Sequence, residues 1–269
     1  MLSFPNAKIN IGLYITGTQD NGYHNIETVF YPVPLYDILE VVPTEKQTEI
    51  HLSGIKIPGS PSDNLVLKAW KLLHDKHQIP PVKIYMHKHI PAGSGLGGGS
   101  SDAAFFLQNL NKQFKLGLPA EKLMTLALKL GSDCPFFVQN KPVFATNRGE
   151  IMEEIKLNLE GKYVMIVFPD IHIDTGGIFS KITISPADYE LRDLHTIPVS
   201  SWKNYINNRF ETVVFNMHPQ LKKIKTQLYD AGADYAQLTG TGSAIYGIFS
   251  HKPDINQNHL SYNYIVKQL

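Results

Sequence analysis

Alternating apolar residues near the amino terminus predict a β-strand. The run Ala-Lys-Ile-Asn-Ile-Gly-Leu-Tyr-Ile at residues 7–15 puts four aliphatic side chains on one face and leaves Lys8 and Asn10 on the other. Asn21-Gly22 predicts a tight hairpin turn, because both residues tolerate positive φ, and a second strand follows from about residue 23 to 33. Further strand-like stretches lie at 36–42, 49–57 and 82–90.

Helical spacing of apolar residues predicts three helices in the middle of the chain. The first opens at Ser62-Asp63, the second spans residues 102–114, and the third begins at Pro119 and ends at a left-handed Gly131. The later predictions are a strand from Tyr163 to Phe168, a polar surface connection at 185–200, a helix at 219–232 and strands around a glycine loop at 235–250.

Composition restricts the class of protein. With 269 residues and 43% hydrophobic residues, the chain can bury a core, which excludes wholesale disorder. Its 25 basic and 24 acidic residues give no electrostatic case for binding nucleic acid or an anionic membrane. The single cysteine, Cys134, excludes an intramolecular disulfide and a cysteine-based zinc site. Without a secretory signal or a run of about 20 apolar residues, we expect a cytoplasmic protein.

A glycine-rich segment between a predicted strand and a predicted helix carries the clearest chemical signal. Glycines allow several backbone N–H groups to face one anion, and the amino terminus of a helix adds partial positive charge. We therefore expect phosphate binding here rather than a flexible linker. The candidate ATP-binding residues are Pro91, Ala92, Gly93, Ser94, Gly95, Leu96, Gly97, Gly98, Gly99, Ser100 and Ser101.

This segment does not fully match either of two common phosphate-binding motifs. It lacks the Gly-Lys-Ser/Thr of a Walker A loop. Gly93, Gly95 and Gly98 fit the dinucleotide fingerprint Gly-x-Gly-x-x-Gly, but the acidic residue expected about 20 positions later falls near Gly117-Leu118-Pro119. A dinucleotide-binding oxidoreductase therefore stays the weaker alternative.

Three other features leave their chemistry open. The second glycine loop, whose members are Thr239, Gly240, Thr241, Gly242 and Ser243, is either a strand connection or a second clamp on phosphates. Asp133 either caps the short segment that begins at Pro135 or takes part in catalysis. Lys8 is either exposed on its strand or part of a polar site with Asn10.

Taken together, the motifs resemble the GHMP kinases, the family of galactokinase and the homoserine, mevalonate and phosphomevalonate kinases. Residues 91–104 match the signature Pro-x-x-x-Gly-Leu-Gly-x-x-Ser-Ser. Four motifs narrow the resemblance to members that phosphorylate 4-diphosphocytidyl-2-C-methyl-D-erythritol: Lys8-Ile9-Asn10, Gly22-Tyr23-His24, the triple glycine 97–99 and residues 131–137. The family usually has glycine where this chain has Asn147, and serine where it has Thr241.

This resemblance implies an α+β fold of two domains. Residues 1–155 would form an ATP-binding domain like domain 2 of ribosomal protein S5, and residues 156–269 a ferredoxin-like domain. It also implies transfer of the γ-phosphoryl group of ATP, with Mg²⁺ bound alongside, to the tertiary 2-hydroxyl of the cytidylylated substrate in non-mevalonate isoprenoid synthesis.

The resemblance assigns residue roles as well. Asp133 corresponds to the catalytic base and Lys8 to its partner, while Ser101 is a candidate Mg²⁺ ligand. The residues expected to bind the substrate are Asn10, Tyr23, His24, Thr175 and Phe179. The alternatives are a different small-molecule GHMP kinase, the oxidoreductase, and a nucleotide-binding relative without activity.

Overall fold

The computed structural model describes residues 1–20, 22–60, 63–254 and 261–269, which form twelve strands and seven α-helices. The strands are β1 (Leu2–Ser3), β2 (Asn6–Thr18), β3 (His24–Tyr36), β4 (Ile38–Pro43), β5 (Glu49–Gly54), β6 (Val82–Lys88), β7 (Val143–Thr146), β8 (Ile151–Glu154), β9 (Tyr163–Phe168), β10 (Tyr235–Leu238), β11 (Ile245–Phe249) and β12 (Asn263–Gln268). The helices are α1 (Leu65–His77), α2 (Gly98–Gln113), α3 (Ala120–Leu128), α4 (Cys134–Gln139), α5 (Thr175–Phe179), α6 (Phe210–Met217) and α7 (Pro219–Asp230). In these ranges no helix has the length and apolar character to cross a membrane.

The chain divides into two compact units that interleave along the sequence. The first unit comprises residues 1–7, 35–92 and 97–141, and the second comprises residues 8–34, 93–96 and 142–269. The domain boundary after residue 155 stays a prediction.

A four-stranded sheet and four helices form the first unit. The strand order is β1-β4-β6-β5, with β4 antiparallel and β5 parallel to β6. Alternation along β6 buries Val82, Ile84 and Met86 on one face. Helix α2 packs against α1, α4 and the strands β1 and β4. These contacts form the core that carries the start of α2 at Gly98.

The helix boundaries in this unit differ from the predicted ones. Helix α2 begins at Gly98, four residues before the expected start, with a left-handed Gly97 at its N-cap (φ +72°). Helix α3 ends at Leu128, and Gly131 does not adopt positive φ, so the predicted glycine cap is wrong. Helix α1 begins after Asn64, whose side chain accepts a hydrogen bond from Val66 N. The predicted helix start at Ser62 and the turn residue Asn21 lie outside the described residues.

The second unit contains two further sheets, ordered β2-β3-β7-β8 and β10-β11-β9-β12. In the latter every pairing is antiparallel. Numbered by their position in the chain, its strands lie in the order 2-3-1-4, the ferredoxin-like order, and α7 packs on β10 and β11. The predicted strand Tyr163–Phe168, the glycine loop and the helix near 219–232 are confirmed.

Strand β2 is buried on both faces. Alternation predicted one core face, yet Lys8 and Asn10 on the opposite face are only 3% and 2% exposed. Gly12 adopts φ +65°, and a Cβ there would lie 2.7 Å from a methyl carbon of Leu191. Because Leu191 is itself fully buried, the predicted surface connection at 185–200 contributes to the core.

Candidate active site

The first glycine loop joins the end of β6 to the start of α2. Gly93, Gly95 and Gly97 adopt positive φ, which curls the backbone ahead of a helix of 16 residues. A curled glycine backbone before a helix amino terminus is an arrangement that binds phosphate through N–H groups and the helix dipole. At Gly95 a Cβ would come 2.0 Å from the carbonyl oxygen of Thr239, so this position requires glycine.

The second glycine loop supports the first. Thr239 Oγ1 donates to the carbonyl of Gly95 at 3.2 Å, and Ala244 N donates to that of Ser94 at 3.1 Å. Gly240 also lies against Gly95, where a Cβ on Gly240 would be 3.3 Å from the Gly95 Cα. The loop at residues 239–243 therefore connects two strands and supports the first glycine loop. Its predicted role as a clamp on phosphates stays a prediction.

Lys8 and Asn10 form a buried polar pair on β2. Lys8 Nζ donates to Asn10 Oδ1 at 2.5 Å and lies 4.8 Å from the ring centroid of Phe30. Asn10 Nδ2 donates to Thr28 Oγ1 at 3.0 Å, which fixes the orientation of the amide. The interpretation of Lys8 as an exposed strand lysine is therefore wrong. The Asn10 amide thus orients the Lys8 ammonium. The contact between Asn10 and the substrate stays a prediction.

Side chains hold the backbone of β2 around this pair. Tyr246 Oη donates to the carbonyl of Asn10 at 2.8 Å, and Gly12 N donates to Gln237 Oε1 at 2.9 Å. Thr28 Oγ1 donates to the carbonyl of Gly12 at 2.6 Å. Sequence reasoning missed Gln237 and Tyr246. The sequence did carry a signal for Gln237, because it is a polar residue inside the apolar strand run Tyr-Ala-Gln-Leu of β10.

Asp133 directly precedes α4 but does not cap it. Its backbone is helical (φ −81°, ψ −15°), and its side chain makes no capping hydrogen bond. The capping interpretation therefore lacks its defining contact. The neighbouring Cys134 is buried beside Ser100, and burial raises the pKa of its thiol to about 12. A thiol with that pKa stays protonated at neutral pH, which gives no support for a nucleophilic role of Cys134.

Of the aromatic side chains predicted to bind the substrate, all in the second unit, His24 and Phe179 contact each other and Tyr23 contacts Arg148. Tyr23 is 54% exposed, and the guanidinium carbon of Arg148 lies 4.8 Å from its ring centroid. The rings of His24 and Phe179 are 5.0 Å apart with a tilt of 38°. Thr175 Oγ1 lies 3.1 Å from the hydroxyl of Thr241 in the second glycine loop. Arg148 was missed, because sequence alone does not bring residue 148 to the hairpin.

A cavity of about 280 Å³ lies in the first unit beside the start of α2. Its apolar lining includes Leu52, Met86, Ile90 and Ala92, with Asn64 among the polar side chains. The other polar side chains of the lining are Ser60, Asp63, Lys88 and Asp102. The apolar part of the wall suits the face of a flat heterocycle. The first unit thus has a pocket beside the start of α2, the helix that follows the glycine loop in the chain.

Two family models match the chain. The model described as GHMP kinases N terminal domain matches residues 64–141, and that described as GHMP kinases C terminal matches residues 193–258. The 4-diphosphocytidyl-2-C-methyl-D-erythritol kinase of Bacteroides fragilis is 47% identical over 260 residues, covering 96% of this chain and 95% of that protein. This chain belongs to the GHMP kinase family. A relative of the same name from Cytophaga hutchinsonii is 43% identical and covers 94% of each chain.

Solved structures agree with this GHMP kinase assignment. A crystal structure titled 4-(cytidine 5'-diphospho)-2C-methyl-D-erythritol kinase superposes with a TM-score of 0.75 at 29% identity, over 92% of this chain and 90% of that one. The Methanococcus jannaschii mevalonate kinase, at 14% identity, shares the fold with a TM-score of 0.69. The predicted α+β GHMP kinase fold is confirmed, and the chain is an ATP-dependent small-molecule kinase. Kinase chemistry is therefore favoured over the dinucleotide interpretation of the glycine loop.

Mg²⁺ binding by this GHMP kinase would draw on few protein ligands. Among the described residues no three His, Cys, Asp or Glu side chains form a metal-binding group. The Ser101 hydroxyl at the start of α2 is buried and has no hydrogen-bond partner there. Among the described residues this donor set would fit an ion held mainly by nucleotide phosphates, and Ser101 as an Mg²⁺ ligand stays a prediction.

Proposed function

We propose that this chain transfers the γ-phosphoryl group of ATP to the 2-hydroxyl of 4-diphosphocytidyl-2-C-methyl-D-erythritol, a step of non-mevalonate isoprenoid synthesis. The observation that carries the proposal is 47% identity over nearly the whole chain to the Bacteroides fragilis kinase of that name. A cytoplasmic location, and the lack of a nucleic-acid or membrane partner, stay predictions from the sequence.

Asp133 acts as the general base in this proposal. A tertiary hydroxyl is too weak an acid to ionise at neutral pH, so a carboxylate must accept its proton as the bond to phosphorus forms. The new bond joins the substrate oxygen to the γ-phosphorus, the bond from that phosphorus to the β–γ bridging oxygen breaks, and ADP leaves. In support, the Asp133 side chain is not engaged in capping α4.

Lys8 and the glycine loop stabilise the charge on the phosphates. The Lys8 ammonium is held by Asn10 and by the face of Phe30, so it enters the reaction already oriented. The loop 91–101 offers backbone N–H groups to the phosphates of ATP, and the cavity beside α2 takes the adenine. Mg²⁺ bound with ATP supplies further charge neutralisation, and Ser101 is the side chain that would reach it.

Cytidine recognition is assigned to the aromatic residues of the second unit. Tyr23 presents an exposed ring, and His24 packs with Phe179. Pyrimidine bases stack on such rings, and hydrogen bonds to the base edge then select cytosine. Thr175, at the start of α5, adds a hydroxyl to this surface.

The decisive experiment measures substrate-dependent ADP release. Purified protein with Mg²⁺-ATP should release ADP when 4-diphosphocytidyl-2-C-methyl-D-erythritol is added, and not with mevalonate, homoserine or a sugar. Release only with one of those compounds would identify a different GHMP kinase. NADH binding without ATP turnover would indicate the oxidoreductase, and ATP binding without turnover of any substrate would indicate an inactive relative.

A further inference from the structure

Three consecutive carbonyl groups of the first glycine loop are held by donors of the second unit. The pairs are Ala244 N with Ser94 at 3.1 Å, Thr239 Oγ1 with Gly95 at 3.2 Å and Lys8 N with Leu96 at 3.0 Å. In a planar trans peptide the carbonyl of one residue and the N–H of the next point in opposite directions. Fixing these carbonyls therefore turns the N–H groups of Gly95 and Leu96 away from the donors. A phosphate cradle depends on that direction.

The Thr239 hydroxyl is the only side chain among these three donors, and Asn208 holds the backbone on both sides of it. Asn208 Nδ2 donates to the carbonyls of Leu238 at 2.9 Å and Gly240 at 2.8 Å. Each amide hydrogen thus has one of the two carbonyls that flank Thr239. Asn208 is 2% exposed and Thr239 is fully buried, so water does not compete for these bonds. A single side chain therefore fixes where the Thr239 hydroxyl lies.

Asn208 is itself anchored on β2, the strand that carries Lys8. Leu13 N donates to the carbonyl of Asn207 at 3.0 Å, and Arg209 N donates to that of Leu13 at 2.8 Å. These bonds on either side of Asn208 form a parallel bridge between it and Leu13. The Asn208 amide therefore joins a fixed strand to the second glycine loop.

The two ends of the Asn208 amide have separate partners. Its nitrogen serves the glycine loop, whereas Oδ1 accepts from Phe210 N at 2.9 Å at the start of α6. The Phe210 ring packs edge-on against that of Phe179, a residue of the predicted substrate set, at 4.8 Å between centroids. A substitution that keeps the acceptor and removes the donor therefore changes the loop while leaving the contact toward Phe179 in place.

We propose that Asn208 is a positioning residue for the phosphates of ATP. Through Thr239 it holds the carbonyl of Gly95, and thereby the N–H group of Leu96, in the orientation that binds phosphate. This role rests on the phosphate binding that the proposed function assigns to the first glycine loop, and not on the second substrate. Adenosine has no phosphates, so loss of the Asn208 donor should lower the affinity for ATP and leave that for adenosine unchanged.

Calorimetric titration of the full chain with Mg²⁺-ATP and with adenosine tests this role. Asn208→Ser removes the amide donor, and the serine hydroxyl still accepts from Phe210 N, as serine does at helix starts. The Kd for ATP should rise about tenfold, the scale of one or two hydrogen bonds. The Kd for adenosine and the KM of the second substrate should not change.

Asn111→Ser is the matched control. Asn111, near the carboxyl end of α2, also makes two side-chain bonds to backbone, with the carbonyl and the N–H of Leu118 at 3.0 Å each. Its replacement loses as many hydrogen bonds without touching either glycine loop. Both Kd values should equal those of the wild type.

Thr239→Val tests the path from Asn208 to Gly95. It removes the hydroxyl that reaches the Gly95 carbonyl, so it should raise the Kd for ATP by itself. Because both substitutions break one chain of contacts, combining Thr239→Val with Asn208→Ser should raise that Kd little beyond the larger single effect. Additive effects would overturn the inference, since Asn208 would then act by another route.

The remaining outcomes separate the role of Asn208 from the proposed function. An unchanged ATP Kd in Asn208→Ser, or equal weakening of ATP and adenosine, would overturn the inference and leave the proposed function intact. A wild type that binds ATP no more tightly than adenosine would contradict the phosphate role of the loop itself. If Asn208→Ser does not fold by circular dichroism, Asn208→Asp, which keeps the shape and the acceptor, replaces it. Failure of both to fold would overturn the inference, because Asn208 would then be required for the fold as a whole.

Discussion

Replacing Gly95 by alanine tests the support that the second glycine loop gives to the first. Gly95 has φ +80°, and an added Cβ would lie 2.0 Å from the carbonyl oxygen of Thr239 and 2.9 Å from its carbon. A left-handed conformation costs an L-residue about 1–2 kcal/mol relative to glycine. The contact with Thr239 is with backbone, so rotating a side chain cannot relieve it. Overpacking of this kind costs about 1–3 kcal/mol more.

Two other glycines of the same segment separate these contributions. Gly93 has φ +67° and no atom within 4 Å of an added Cβ, so Gly93→Ala should lose only the conformational part, about 1–2 kcal/mol. Gly99 lies inside α2 without positive φ and with open space around it. Gly99→Ala should lose nothing and can gain up to about 0.5–1 kcal/mol. Gly95→Ala should lose the sum of both penalties, about 2–5 kcal/mol.

Urea unfolding followed by circular dichroism at one fixed pH measures the free energy of unfolding of the three variants and the wild type. The expected order of loss is Gly95→Ala, then Gly93→Ala, with Gly99→Ala at or above the wild type. ATP affinity should follow the same order for the first two, because both distort the phosphate cradle. A Gly95→Ala loss no larger than that of Gly93→Ala would refute the close approach of the two loops.

Asp133→Asn should lower turnover by about 10²–10⁴ while ATP and the substrate still bind, because the amide cannot accept the hydroxyl proton; near-normal ADP release would contradict the base role. Tyr23→Ala should weaken substrate binding by about 1–3 kcal/mol and leave ATP affinity unchanged. Steady-state KM values test this, because an unchanged substrate KM with a raised ATP KM would contradict the assignment of Tyr23 to the cytidine. Thr239→Val should destabilise the fold by about 1–3 kcal/mol in urea, since Asn10 N loses its acceptor. Thr241→Val, at a half-buried hydroxyl, is its control and should change little.

Elements with an unbroken local pattern could be predicted from the sequence. The strand at 163–168 and the helix near 219–232 were correct because apolar period and turn residues agree there. The start of α2 was predicted four residues too late, because the three consecutive glycines 97–99 have low helix propensity. Tertiary contact overrides that propensity. The first turn approaches Ile90 so closely at Gly98 that only glycine fits, and the packed helix supplies the stability that its sequence lacks.

In the first unit Lys88 forms buried ion pairs with Asp37 and Asp102, and the sequence pattern predicts only the lysine of this cluster. Along β6 the alternation of Val82, Ile84 and Met86 continues to Lys88, which predicts an inward lysine. An inward lysine requires a buried counter-charge, but the pattern does not indicate which carboxylate supplies it. Asp37 lies 51 residues away along the chain, and Asp102 lies beyond the glycine loop, so only the fold brings the three together.

Asn147 shows how a departure from the family pattern can preserve the structure. Its φ is +62°, the left-handed conformation that glycine adopts freely and that asparagine tolerates better than most residues. Its carbonyl accepts from Ile26 N at 2.6 Å, a bond that depends on this backbone conformation rather than on the side chain. The side chain then adds what glycine cannot, because Nδ2 donates to Glu150 Oε1 at 2.6 Å and Oδ1 accepts from Gln19. The substitution keeps the turn between β7 and β8 and ties it to the end of β2, so it is compatible with family membership.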